Sequence, residues 1–137
     1  MTQEQISNKL RSGMEMEKDN TVSRELTARV VGSGGLDVLA TPALAAWIEN
    51  AAYEMADLWL PEEETTVGAN INLDHMAPTP VGMKVRVKVH LDAIEGRKLV
   101  FSIEAYDTTQ QIAGGTHTRF IVNKARFMQK VQDKKNQ

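Results

Sequence analysis

The chain has 137 residues, 42% hydrophobic and 25% charged, with a formal net charge of −2 and no cysteine. That size and composition suit one globular domain with a core of its own. Disulfides, thiolate metal sites and a cysteine nucleophile are excluded, and so is bulk electrostatic steering toward nucleic acid.

The opening "MTQEQISNKLRSGMEMEKDN" is polar and has no apolar signal core. No apolar run approaches the ~20 residues a membrane-spanning helix needs. A cytoplasmic protein with no membrane partner is expected, organised as a single domain over 1–137 whose ends, 1–20 and 129–137, are peripheral or flexible. "TVSRELTARVV" (21–31) has apolar residues at Val22, Leu26, Ala28 and Val30, a period of two that predicts a strand. "GSGGLDVLA" (32–40) carries three glycines and reads as a loop. A long amphipathic helix follows, with Thr41 as N-cap, Pro42 at the first helical position and a stop near Pro61. Leu44, Trp47, Ile48, Ala51, Met55 and Trp59 form its apolar stripe.

Beyond the helix the pattern is β. "TTVGANINLDH" (65–75) reads as a strand and "MAPTPVG" (76–82) as a turn. In "MKVRVKVHLDAI" (83–94), Met83, Val85, Val87, Val89 and Leu91 alternate with Lys84, Arg86, Lys88 and His90, the mark of a one-sided antiparallel strand. "KLVFSIEAYD" (98–107) alternates again through Leu99, Phe101, Ile103 and Ala105. "IAGGTHTRFIVNKARF" (112–127) is the last expected strand, and the polar tail 128–137 reads as solvated helix or disorder. One helix with a continuous apolar stripe among hairpin-linked strands implies an α+β domain, an antiparallel sheet wrapped around one long central helix.

Glu49 sits at the margin of the stripe beside Ala45, Ala52 and Ala56. A solvated helix residue is the bland reading. The small neighbours leave room for a partly buried carboxylate that could serve as base or nucleophile. Thr41 is explained by capping alone, but the free N–H groups of that turn can also hold a carbonyl oxygen. His75 closes a strand before a turn with two prolines. His90 belongs to a polar face, and the face of His117 in "GGTHTRF" is not fixed by the pattern. Three scattered histidines lack metal-ligand spacing, so neither metal nor cofactor is expected. Gly68, Gly114 and Gly115 each allow a bulge or a close approach. The basic segment "KARFMQKVQDKK" reads as a solvated tail.

"VLATPALAAWIENAA", "TVGANINLDHMAPTPVGMKVRVKVHL", "EGRKLVFSIEAYD" and "GGTHTRFIVNKARF" together resemble the hot-dog acyl-CoA thioesterases, in particular the fluoroacetyl-CoA thioesterase-like family. The resemblance spans about residues 20–130. It implies the hot-dog fold, hydrolysis of an acyl-CoA thioester and a homodimer or higher homo-oligomer with the site at the dimer interface. It also implies catalytic roles for Thr41, Glu49 and His75, Glu49 serving as nucleophile or general base. Gly68 matches a backbone position near the thioester and Arg119 a family Arg in the last strand, and both are expected to bind substrate. A non-catalytic acyl-CoA-binding protein and a dehydratase of the same fold are the alternatives. The chain departs from the family just before the helix, where the fluoroacetyl-specific member carries a Phe-rich lid. "VVGSGGLDVLA" has no aromatic residue, so a flexible entrance and a different, larger acyl group are expected.

Overall fold

The computed structural model describes residues 10–137. Within them one five-stranded antiparallel sheet, in the order β1-β3-β4-β5-β2, curves around one long helix. The elements are β1 (Glu15–Thr21), α1 (Ala28–Val31), α2 (Thr41–Asp57), β2 (Glu64–His75), β3 (Lys84–Glu95), β4 (Lys98–Tyr106), β5 (Gln111–Asn123) and α3 (Lys124–Lys135). This is the expected hot-dog arrangement, with helix α2 on the concave face of the sheet.

The core follows from the two periodicities. Leu44, Ile48, Ala51, Ala52, Met55 and Ala56 of α2 are buried, and Trp47 and Trp59 pack against them from the margin. They meet Val85, Val87, Val89 and Leu91 of β3 and Leu99, Phe101, Ile103 and Ala105 of β4, all buried. Along β5 the inward face changes character, because His117 and Arg119 are buried there. The interior is therefore apolar under β3 and β4 and polar under β5 and β2.

The first strand differs from expectation. Beyond Thr21, which ends β1, residues 22–31 do not form the expected strand. They make a 3-10 turn, Arg24–Leu26, and the single turn α1. Thr27, fully buried, accepts from Val30 N and caps that turn, which an extended chain could not do. The strand lies earlier, in the polar stretch, and the expectation for 1–9 lies outside the described residues. In β1 Glu15, Glu17 and Asp19 face outward opposite His90, Lys88 and Arg86 of β3. Lys18 points inward, where its Nζ meets Asn50 Oδ1 and Glu54 Oε2 of α2, both at 2.6 Å. An inward charge on an edge strand discourages further strand pairing there.

The last strand also ends sooner than expected, at Asn123, whose side chain accepts from Arg126 N at 3.0 Å and starts α3. The glycine-bearing segment before α2 is a loop, as expected, but it is tied down. Ala28 N donates to Val38 O, Arg29 N to Leu36 O, Leu39 N to Thr79 O and Ala40 N to Leu26 O. Arg29 and Asp37 pair across it at 2.7 Å.

Candidate active site

Helix α2 begins one residue earlier than expected, at Thr41 itself. Ala40, in extended conformation, is the N-cap, its carbonyl accepting from Leu44 N at 3.0 Å. Thr41 thus lies inside the first turn with Pro42, and its hydroxyl does not cap the helix. That hydroxyl lies 2.7 Å from His75 Nδ1 at the end of β2. His75 Nε2 is buried and has no hydrogen-bond partner among the described residues. Burial lowers the His75 pKa below the ordinary histidine value, partly offset by the Ala77 backbone, so the neutral ring prevails at neutral pH. The pair opens on a cleft of 240 Å³ walled by Ala28, Val38, Leu39, Met76 and Pro78.

Two turns further along α2, Glu49 faces the polar end of the interior, its side chain 44% exposed. Its Oε2 is 3.7 Å from Arg119 Nη1. Gly68 of β2 lies directly against this pair: a Cβ on Gly68 would be 2.8 Å from Glu49 Oε2 and 3.2 Å from Arg119 Nη1. Glycine in a strand marks a bulge or allows close approach; a bulge begins at this residue, and the contact itself is close approach. Gly115 plays the same role strand to strand, since a Cβ there would lie 1.9 Å from Asn72 O.

Arg119, 6% exposed, is held on three sides. Its Nε donates to Thr66 Oγ1 at 2.8 Å, its Nη2 to Thr66 O at 3.1 Å, and its Nη1 approaches His117 Nε2 at 3.2 Å. The ring of His117 has its Nδ1 2.7 Å from Asn70 O. A carbonyl only accepts, so Nδ1 carries the proton and Nε2 presents the lone pair to Arg119. Burial lowers the His117 pKa; the bond to Asn70 raises it, the Arg119 charge lowers it and the Glu49 charge raises it, for a net decrease. Burial also lowers the Arg119 pKa, opposed by Glu49, Asp57 and Tyr53, and the guanidinium stays charged.

A β-bulge makes this arrangement possible. The register of β2 on β5 slips between Gly68 and Asn70, which leaves Ala69 without a partner on β5. Residues seven apart in an unbroken strand face opposite sides of the sheet. The extra residue reverses the alternation, so Gly68 contacts α2 and, seven residues later, His75 contacts α2 as well.

Of the five residues singled out in the sequence, Thr41 meets His75, and Glu49 meets Gly68 and Arg119. No hydrogen bond or ion pair joins these two groups among the described residues. Eight residues of helix separate Thr41 from Glu49, about 12 Å along the axis. His117 and Thr66 belong to the site and the sequence pattern had not placed them. His90 lies on the outer face, 2.6 Å from Asp92. A larger cleft, 480 Å³, also lies on that outer face among Glu17, Asp19, Lys84, Arg86, Lys88 and Tyr106. Its charges are largely spent on one another, as in Arg86 with Asp19 at 2.9 Å, so it is a cross-strand ion ladder.

A concave five-stranded sheet around one helix, with a carboxylate and a histidine brought to that helix, is a hot-dog domain of the thioesterase type. Solved structures agree. The fluoroacetyl-CoA thioesterase FlK superposes with a TM-score of 0.86 at 29% identity, covering 91% of this chain and 97% of that one. A thioesterase superfamily member from Thermus thermophilus superposes with a TM-score of 0.85 at 26% identity, covering 92% and 93%. The family model for the fluoroacetyl-CoA-specific thioesterase FlK matches residues 22–125. The fluoroacetyl-CoA thioesterase of Streptantibioticus cattleyicolor is 33% identical over 98 residues, 72% of this chain and 70% of that protein. The chain belongs to the fluoroacetyl-CoA-specific thioesterase family and is a thioester hydrolase.

Proposed function

We propose that this protein hydrolyses an acyl-CoA ester to the free acid and CoA, with Glu49 as the reacting carboxylate and Thr41 and His75 assisting. The observation that carries the reading is the placement of Glu49: half-exposed, against the bare backbone of Gly68, with the Arg119 guanidinium 3.7 Å away. A thioester carbonyl lying over Gly68 would meet Glu49 without a side chain between them. Glu49 then either adds to the carbonyl carbon to give an anhydride that water opens, or takes the proton of an attacking water. In both routes the C–S bond breaks and the thiolate of CoA leaves and is protonated. His75, neutral and bonded to Thr41, is suited to handing on that proton.

The Thr41–His75 pair lies about 12 Å of helix rise from Glu49 in the same chain. A homodimer resolves that separation. Edge strand β1 is short and carries the inward Lys18, whereas edge strand β2 is twelve residues long. Antiparallel pairing of β2 with its own copy about a twofold near Ile71 and Asn72 brings Gly68 and Glu49 toward the second copy's His75. The tied loop before α2 has no aromatic residue, and Leu36 and Met76, 70% and 59% exposed, leave apolar surface near the cleft. This favours an acyl group larger than fluoroacetyl.

The test is hydrolysis of a panel of acyl-CoA esters, from acetyl and fluoroacetyl through longer and aryl-bearing chains, followed by thiol release. Glu49→Gln, folded as wild type, is expected to lose about three orders of magnitude in kcat on the preferred ester. Retention of most activity by Glu49→Gln would refute the role given to Glu49. Silence of the wild type on every ester would favour an acyl-CoA-binding protein instead.

A further inference from the structure

His117 takes no part in the chemistry just described, yet it is a buried titratable group, 1% exposed, at the centre of the polar interior. Its two ring nitrogens reach two separate parts of the site. Nδ1–H donates to Asn70 O, the carbonyl next to the bulge that puts Gly68 and His75 on one face. Nε2 accepts from Arg119 Nη1, the nitrogen that also faces Glu49 Oε2. The Phe101 ring of β4 lies against the imidazole, with centroids 6.1 Å apart and planes 28° from parallel, and limits its rotation.

We propose that His117 is a positioning residue for the thioesterase reaction: as the neutral Nδ1–H tautomer it is anchored to the β2 bulge and holds Arg119 against Glu49, and its protonation releases Arg119. The inference rests on the role given above to Glu49. The charged groups facing His117 are few. On its own strand there is Arg119, and on α2 there is Glu49, with Asp57 and Tyr53 acting on Arg119 from the same helix. Strand β2 presents the neutral Gly68, Asn70 and Ile71 to it, and β4 the Phe101 ring. A proton on Nε2 would set a donor against the Arg119 donor at 3.2 Å and place two cations in one buried site. Arg119 would then withdraw toward Thr66. Glu49 would lose its counter-charge, while Nδ1–H would keep its bond to Asn70 O. The consequence falls on turnover more than on binding, because what moves is the geometry of reacting groups.

The test combines kinetics of His117→Gln with ¹⁵N NMR of the histidine-labelled full-length wild type. Only three histidines are present, so each ring is assigned by its own substitution. On the best acyl-CoA ester, folded His117→Gln is expected to lose about tenfold or more in kcat at neutral pH with little change in KM, and its acid limb should be shallower, one titrating group having gone. In the wild type the His117 ring should show a protonated Nδ1 and a bare Nε2 at neutral pH. A folded His117→Gln with wild-type kcat and acid limb overturns the proposal. An Nε2–H ring, or rapid exchange between tautomers, also overturns it while leaving the role of Glu49 standing, and it decides the matter even where the variant does not fold. A wild type that hydrolyses no acyl-CoA ester refutes the Glu49 reading and the catalytic half of this proposal with it.

Discussion

Gly68 approaches Glu49 so closely that a single added methyl would lie 2.8 Å from Oε2 and 3.2 Å from Arg119 Nη1. Gly68 does not have a positive φ, so alanine meets no backbone strain there. The atom it would strike hardest ends the half-exposed Glu49 side chain, which can swing aside, while the held Arg119 at 3.2 Å need give only slightly. Gly68→Ala is therefore expected to fold with a stability within about 1 kcal/mol of wild type, since the lost freedom of the unfolded chain works in its favour. Its kcat should fall about tenfold to a hundredfold, because Glu49 and the space for the carbonyl are both displaced. Chemical denaturation and acyl-CoA hydrolysis on the same preparation check both halves. An active Gly68→Ala would mean that the thioester does not lie over Gly68.

Thr41 separates a structural role from a chemical one. As an N-cap, it would cost about 1 kcal/mol or more to lose; inside the first turn, with Ala40 as the cap, its hydroxyl does nothing for the helix. Its partner is His75 Nδ1 at 2.7 Å. Thr41→Val keeps the branched shape and removes the hydroxyl. Its unfolding free energy should change by less than about 0.5 kcal/mol, while kcat falls about tenfold or more. A variant that loses stability and keeps its activity would return Thr41 to a capping role.

What could be read from the sequence follows a physical line. Helix α2, β3 and β4 were legible because each shows one unbroken periodicity, with Val85, Val87, Val89 and Leu91 the cleanest case. Strand β1 was not, since its outer face is acidic and its inner face carries Lys18 and Asn20; pairing with Lys88 and Arg86, far along the chain, makes it a strand. In 21–31, Val22, Leu26, Ala28 and Val30 imitate a strand's spacing while Thr27 caps a helical turn. The residues themselves raised Thr41, Glu49, His75 and Gly68 as candidates, the resemblance gave them roles and added Arg119, and the geometry gives each of them a partner from that same set. His117 escaped because Ile112 and Ala113 are both buried and two glycines follow them, so the alternation has no clear starting phase. Counting back from Arg119 by two would have placed it inward. The bulge at Ala69 has no signal in the sequence beyond the neighbouring glycine.

The half-buried His75 and the buried His117 set an acid limit on stability. Burial holds the pKa of both His75 and His117 below the ordinary histidine value, while the unfolded chain titrates near about 6.5. The unfolded state therefore takes up protons first as the pH falls. Their contribution to stability is complete above about pH 6.5 and is lost below it, down through the folded pKa values. Asp19 and Asp107 are held below the ordinary carboxylate value, so their losses come in a separate, lower window under about pH 4. The thermal midpoint should be flat from about pH 8 to 7 and decline between about pH 6.5 and 5. A midpoint that rose on acidification through that range would mean that the histidines are held charged against carboxylates.

The separation between Glu49 and the Thr41–His75 pair makes a shared site testable by activity in mixed variants. Suppose each site takes Glu49 from one subunit and His75 from the other. Mixing Glu49→Gln with His75→Asn, each nearly inactive, then creates heterodimers in which one site has both groups intact and the other has neither. Random exchange makes about half the dimers mixed, each with one good site of two, so about a quarter of wild-type activity should return. If one chain supplies both groups, every site in the mixture carries a defect and nothing returns. The mixture should be unfolded and refolded together so that subunits exchange, and its mass measured by light scattering. Recovery near a quarter in a particle of twice the chain mass would place the two halves of the site on opposite subunits. No recovery in a fully exchanged dimer would put Glu49 and His75 to work within one chain, and a monomeric mass would remove the shared site altogether.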